Sequence, residues 1–137
     1  MKFARVVFPV AGIYGLIVLA PRYFLEAKTG RDFPPPITHP EFYYGFIGVT
    51  IAWQVLFLFL STDPTRYLPL MIPAVLEKAS FAIAIAVLFL LHRVPSLMRA
   101  PAAADLILGV LFTASYVKTH VNERSVRVET NSDALHK

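Results

Sequence analysis

Two adjacent residues of opposite charge, Glu77 and Lys78, interrupt a run of apolar side chains from Leu68 to Leu91. In such surroundings a carboxyl group can transfer a proton or hold the cationic group of a ligand. The pair is costly. On the membrane-insertion scale a charge at mid-helix costs about 2.5–3.5 kcal/mol, whereas each Leu, Ile, Val or Phe contributes about 0.3–0.6. The thirteen such residues between Leu68 and Leu91 contribute roughly 4–8 kcal/mol, which two charges nearly offset. This segment has to bury the pair against other helices or admit water. Two readings follow. In the functional one, Glu77 serves proton transfer or a ligand; in the structural one it is neutral or hydrogen-bonded inside a bundle, with Lys78 paired to it or extended to the interface. Sequence neighbours lie about 100° apart on a helix, which places Lys78 on an adjacent face.

Other residues at comparable depth complete a candidate ligand-binding set of Glu77, Lys78, Gln54, Trp53 and Tyr14. Gln54 continues a stripe through Tyr43, Ile47, Thr50 and Ser61, the polar edge of its segment. Its plainest role is an interhelical hydrogen bond worth under about 2 kcal/mol. Trp53 lies deeper than the interfacial belt where tryptophan collects, so it is expected to pack inside or line a pocket. His39 and Glu41 are too few for a metal site, and helix capping explains them better. No metal or cofactor is implied. Asp105, one turn into the last apolar segment, suits the helix dipole and can pair with Arg93 or Arg99, at a depth that separates it from Glu77. Asp63, Arg66 and Tyr67 read as a cap and an interfacial anchor.

The elements that position these residues follow from composition. Hydrophobic residues make up 56% of the 137-residue chain and charged ones 16%, too apolar for an ordinary water-soluble domain. The expected fold is all-α: a polytopic membrane protein built as a four-transmembrane-helix up-down bundle, with spans at about 3–24, 42–60, 67–91 and 101–117. Residues 1–127 form one domain, and 128–137 a polar, disordered tail. A cleaved signal peptide is the rival reading of the first span. The connection 26–40, with Pro34, Pro35 and Pro36, favours extended geometry. Thr38 and Glu41 have capping-box spacing, which starts the second span near His39. Asp63 and Pro64 turn the chain straight into the third, whose first half Pro69 and Pro73 should bend. Spans two and three are thus expected to be the tightest pair, closing through Gly48, Ala52, Ala74 and Ser80.

The absence of cysteine excludes disulfides and thiolate chemistry. The net charge of +4 comes from Lys and Arg scattered over loops and ends, which argues for an anionic lipid surface and against nucleic acid. Lys2, Arg5, Arg66, Lys118, Arg124, Arg127 and Lys137 fall on one side, against Arg22, Lys28, Arg31, Arg93 and Arg99 on the other. Both termini are therefore expected in the cytoplasm, with the chain multi-pass in an inner (plasma) membrane.

The run from Glu41 to Phe81, with Tyr43, Tyr44, Trp53, Gln54, the Asp63 to Tyr67 turn, Glu77 and Lys78, resembles small uncharacterised bacterial four-helix membrane proteins. Asp63, Arg66, Tyr67 and Glu77 also resemble the turn and acidic helix of the sterol-isomerase and sigma-2-receptor superfamily. That second resemblance implies a pocket for a flat apolar ligand, with Glu77 protonating it or binding its amine. The residues carry no catalytic motif, so the leading expectation is a membrane protein with a buried polar pocket around Glu77 for an apolar or lipid-like ligand. The alternatives are a lipid isomerase and an accessory subunit that docks through its helices. Expected partners are the bilayer, a small apolar ligand, and a second copy or another membrane protein.

Overall fold

Apolar runs in lipid have to satisfy their backbone internally, and each run here does so as a helix. The computed structural model describes residues 2–135, and these contain helices and no strand. Helix α1 spans Ala4–Leu19 and continues as 3-10 helix to Phe24; α2 is Glu26–Asp32, α3 Pro40–Thr62, α4 Met71–Leu90 and α5 Arg99–Leu135. Four of them, all but α2, are long and apolar enough to cross a membrane. The expected four-helix bundle is what forms.

Its core is aromatic. Phe8 of α1, Phe57 of α3 and Phe112 of α5 are wholly buried. The Phe112 ring lies 4.5 Å from Phe8 and 4.9 Å from Phe57, within the range of favourable ring pairs. Ala4, Ala11, Leu60, Met71 and Ala74 fill in around them.

The helix pairing departs from the expected hairpin. α1 packs along α3 and α4 along α5, whereas α3 and α4 touch only sparsely. The turn explains part of this. Asp63 accepts a hydrogen bond from the Arg66 backbone N–H at 3.1 Å, but the chain then passes through a loose turn and 3-10 residues Leu68–Leu70 before α4 begins at Met71. The small residues explain the rest. Ala52 and Ser80 are exposed, and Gly48 faces the Tyr23 hydroxyl rather than α4. Gly12 and Gly15 of α1 are the ones that admit α3: a Cβ on Gly12 would lie 2.9 Å from the Gln54 carbonyl oxygen, and one on Gly15 would collide with the Gln54 side chain.

Three local expectations also change. The connection 26–40 is partly helical, with α2 braced by a Lys28–Asp32 ion pair of 2.6 Å. It is pinned to α3 by the Tyr44 hydroxyl on Glu26 (2.7 Å), while the Tyr43 hydroxyl holds the Arg22 carbonyl just before it (2.8 Å). No capping box forms at Thr38; His39 occupies the N-cap without a side-chain cap bond, and its Nδ1 lies 3.1 Å from Glu41 Oε1. The polar segment after Lys118 continues α5 to Leu135 instead of ending in a disordered tail. It holds neither Gly nor Pro, and Glu123 pairs with Arg127 one turn on at 2.6 Å. His136 and Lys137, the last residues of the expected tail, lie outside the described residues, as does Met1.

Lys118 stands 4.4 Å over the Phe3 ring, so the start of α1 and this point of α5 lie at one level. Beyond it α5 extends about 26 Å at the usual helical rise. At the other end of the bundle α4 stops in a Schellman turn. Arg93 N–H donates to the Leu88 carbonyl and His92 N–H to Phe89, with His92 in the left-handed region at φ 54°.

Candidate functional site: a carboxyl, lysine, carboxyl cluster

Lys78 is the centre of the polar chemistry in this bundle. Its side chain is only 6% exposed, and its Nζ lies 3.1 Å from Glu77 Oε2 and 3.2 Å from Asp105 Oδ1. The Phe57 ring centroid is 5.3 Å from the same nitrogen. One ammonium group thus meets two carboxyl groups from two helices and an aromatic face from a third. An intramembrane charge needs such company, since neither lipid nor bulk water can solvate it there.

The cluster is satisfied unevenly. Lys78 donates a hydrogen bond to Glu77 Oε1 at 3.3 Å. Glu77 Oε2 is slightly closer but poorly aligned, and among the described residues it is the one buried side-chain polar atom without a hydrogen bond. Glu77 and Asp105 are 13% and 19% exposed, so both are largely shielded.

Asp105 meets Lys78 where α4 packs along α5. The Lys78 Cβ lies beside Gly109, one turn beyond Asp105, at ordinary contact distance: a Cβ on Gly109 would sit 3.5 Å away. The flexible lysine stem spans that turn. Depth counting had separated Asp105 from Glu77 and offered it Arg93 or Arg99; Arg99 instead donates to the Ser96 carbonyl at 3.2 Å and stacks on Phe89. The signal available in the sequence was that Lys78 and Asp105 are both ionisable groups inside apolar segments, each in need of a partner.

The expected set of five does not assemble as one site. Glu77 and Lys78 come together, with Lys78 buried in the cluster and not merely on a neighbouring face. Gln54 is buried in the α1–α3 seam, where its Nε2 donates to the Thr50 carbonyl of its own helix at 3.0 Å. Trp53 packs 6.3 Å from Phe57 at the edge of the aromatic core. Tyr14 is 48% exposed on the outer side of α1. Among the described residues no group of three His, Asp or Glu is arranged to hold a metal.

Beside the cluster, the outer faces of α4 and α5 flank an open, shallow groove of about 540 Å³. Val75 and Ala79 form one wall and Gly109, Thr113 and Val117 the other, with Asp105 toward one end and Lys118 at the opposite end. The lining is almost wholly apolar, since Asp105 turns its carboxyl inward to Lys78. A smaller groove lies between Ala82, Ala86 and Phe89 of α4 and Ala102 and Ala103 of α5.

No protein-family model, curated protein or solved structure matches the chain. The functional reading therefore rests on this geometry.

Proposed function

We propose that the protein is a multi-pass protein of a bacterial inner membrane that holds a lipid-like apolar ligand along the α4–α5 groove. The Glu77, Lys78 and Asp105 cluster clamps the two helices that form the groove. The observation that carries the reading is the groove itself: apolar, bounded by small residues and open toward the bilayer side of the bundle. Lys78 lies buried behind the groove beside Gly109, and its ion pair with Asp105 joins the two helices that form the walls. Glu77 turns its carboxyl to Lys78, which favours a ligand held by shape over a ligand protonated by Glu77 in an isomerase. The Lys and Arg bias supports cytoplasmic termini, with α5 extending into the cytoplasm.

Photoactivatable fatty acids incorporated into membranes that hold the protein test this reading. The label should concentrate on the segments around Val75 to Ala79 and Gly109 to Val117, and Thr113→Trp, which fills the groove, should remove it. Uniform labelling of every outward helix face would overturn the proposal. Reporters fused at the C-terminus and inserted in the 26–40 connection check the orientation: activity specific to the outside at the C-terminus reverses it.

A further inference from the structure

The groove ends at a cation. Lys118 lines it at the level where α1 begins, and its ammonium group lies over Phe3, 4.4 Å from the ring centroid. Lys2 precedes Phe3 and Arg5 follows it by two residues, both exposed. Lys118 thus puts one cation at the end of an apolar trough, and Lys2 and Arg5 add positive charge at the same level of the bundle. From Lys118 to Asp105 the trough follows α5 for thirteen residues, about 20 Å at the helical rise. That is most of the roughly 30 Å hydrocarbon thickness, so an occupant enters at one interface and extends inward without emerging at the other. Nothing in the lining between these ends offers a charged group to a polar ligand.

We propose that the groove selects an anionic phospholipid from the leaflet on the N-terminal side, with the lipid phosphate at Lys118 and one acyl chain running past Thr113 and Gly109 toward Asp105. This rests on the groove reading above and adds the ligand class, its leaflet and its direction. The charge pattern supplies the selection: a zwitterionic lipid fits the same trough but gains less from Lys118 and from the positive charge of Lys2 and Arg5 at that level, whereas an anionic headgroup meets net positive charge. Small residues at Ala79 and Gly109 leave room for the chain.

The test compares retained lipids after the full-length protein is purified in mild detergent from bilayers of equal phosphatidylcholine and phosphatidylglycerol, read by native mass spectrometry. Phosphatidylglycerol should be retained preferentially, and Lys118→Gln should lower that preference roughly fivefold, the effect of one interfacial cation. Arg31→Gln, on the other side of the membrane, should leave it unchanged. Thr113→Trp, or Ala79→Phe should the first variant fold poorly, should reduce retention of both lipids. Loss on Thr113→Trp with no change on Lys118→Gln keeps the groove and overturns the headgroup assignment. Equal loss of preference on Arg31→Gln also overturns it, since overall charge then explains the retention. No change on either groove-filling variant overturns the groove reading itself.

Discussion

The α1–α3 seam closes on glycine, and the α4–α5 seam closes on charge. Lipid tails are as apolar as leucine, so neither seam draws on a hydrophobic force between helices. At Gly12 and Gly15 the missing side chains bring α1 against the α3 backbone, and dispersion over a close fit holds the pair. The one buried amide there, Gln54, spends its hydrogen bond on its own helix. Along α4 and α5 the helices are joined through Lys78 and Asp105, while the flank remains open as a groove. A seam closed by shape leaves no room for a ligand; a seam bridged by a long polar side chain can leave a trough beside the bridge. The aromatic trio of Phe8, Phe57 and Phe112 links the two halves.

The comparison breaks most visibly at Lys78. Replacement by Met strands two carboxyl groups in the bundle and should destabilise it by about 3–5 kcal/mol, the cost of removing one partner from a buried ion pair. Unfolding in mixed micelles measures this. Adding Glu77→Gln and Asp105→Asn should restore most of the loss; a triple variant as unstable as Lys78→Met alone would mean that lysine packing, not charge, holds this seam.

A smaller effect belongs to the glycine seam. Gly12→Ala sets a methyl group 2.9 Å from a backbone oxygen that no rotamer change can move, and overpacking of this kind costs about 1–3 kcal/mol. Cysteine pairs across α1 and α3 should crosslink less readily in that variant, while pairs across α4 and α5 stay as they were. Equal loss at both seams would show that they do not act independently.

Gln54→Met sharpens the contrast further. Its amide bonds within α3, so the change should cost no more than about 0.6 kcal/mol, the average for a polar contact between membrane helices. A loss as large as that of Lys78→Met would identify an interhelical role for the amide. The smallest shift is expected at His92, where glycine relieves a left-handed conformation but adds freedom to the unfolded chain. The net gain should be about 0.5 kcal/mol, read as a slightly raised thermal midpoint.

Much of the architecture was legible in the residues. Four long apolar runs dictate four spanning helices, because a backbone in hydrocarbon has no other way to satisfy its polar groups. The cost of Glu77 and Lys78 likewise marked α4 as the place where a partner was required. Local signals at the ends were weaker guides. Thr38 and Glu41 had the spacing of a capping box, yet His39 occupies the N-cap and Glu41 turns to it. After Lys118, lost hydropathy looked like lost structure, whereas a stretch without Gly or Pro simply carries the existing helix onward.

What the chain determined by itself was the number of spans and the presence of a mid-membrane charge in need of company, since both follow from transfer energies that depend on one segment at a time. Which helices pair, and which acid meets Lys78, depended on tertiary structure. Small residues occur on several helices, and only their three-dimensional register decides that Gly12 and Gly15 face Gln54 while Gly48 faces Tyr23. In the same way Asp105 becomes the partner of Lys78 because α4 packs along α5 with the lysine's base one turn away, and a flexible stem then crosses a gap in depth that residue counting treats as a separation.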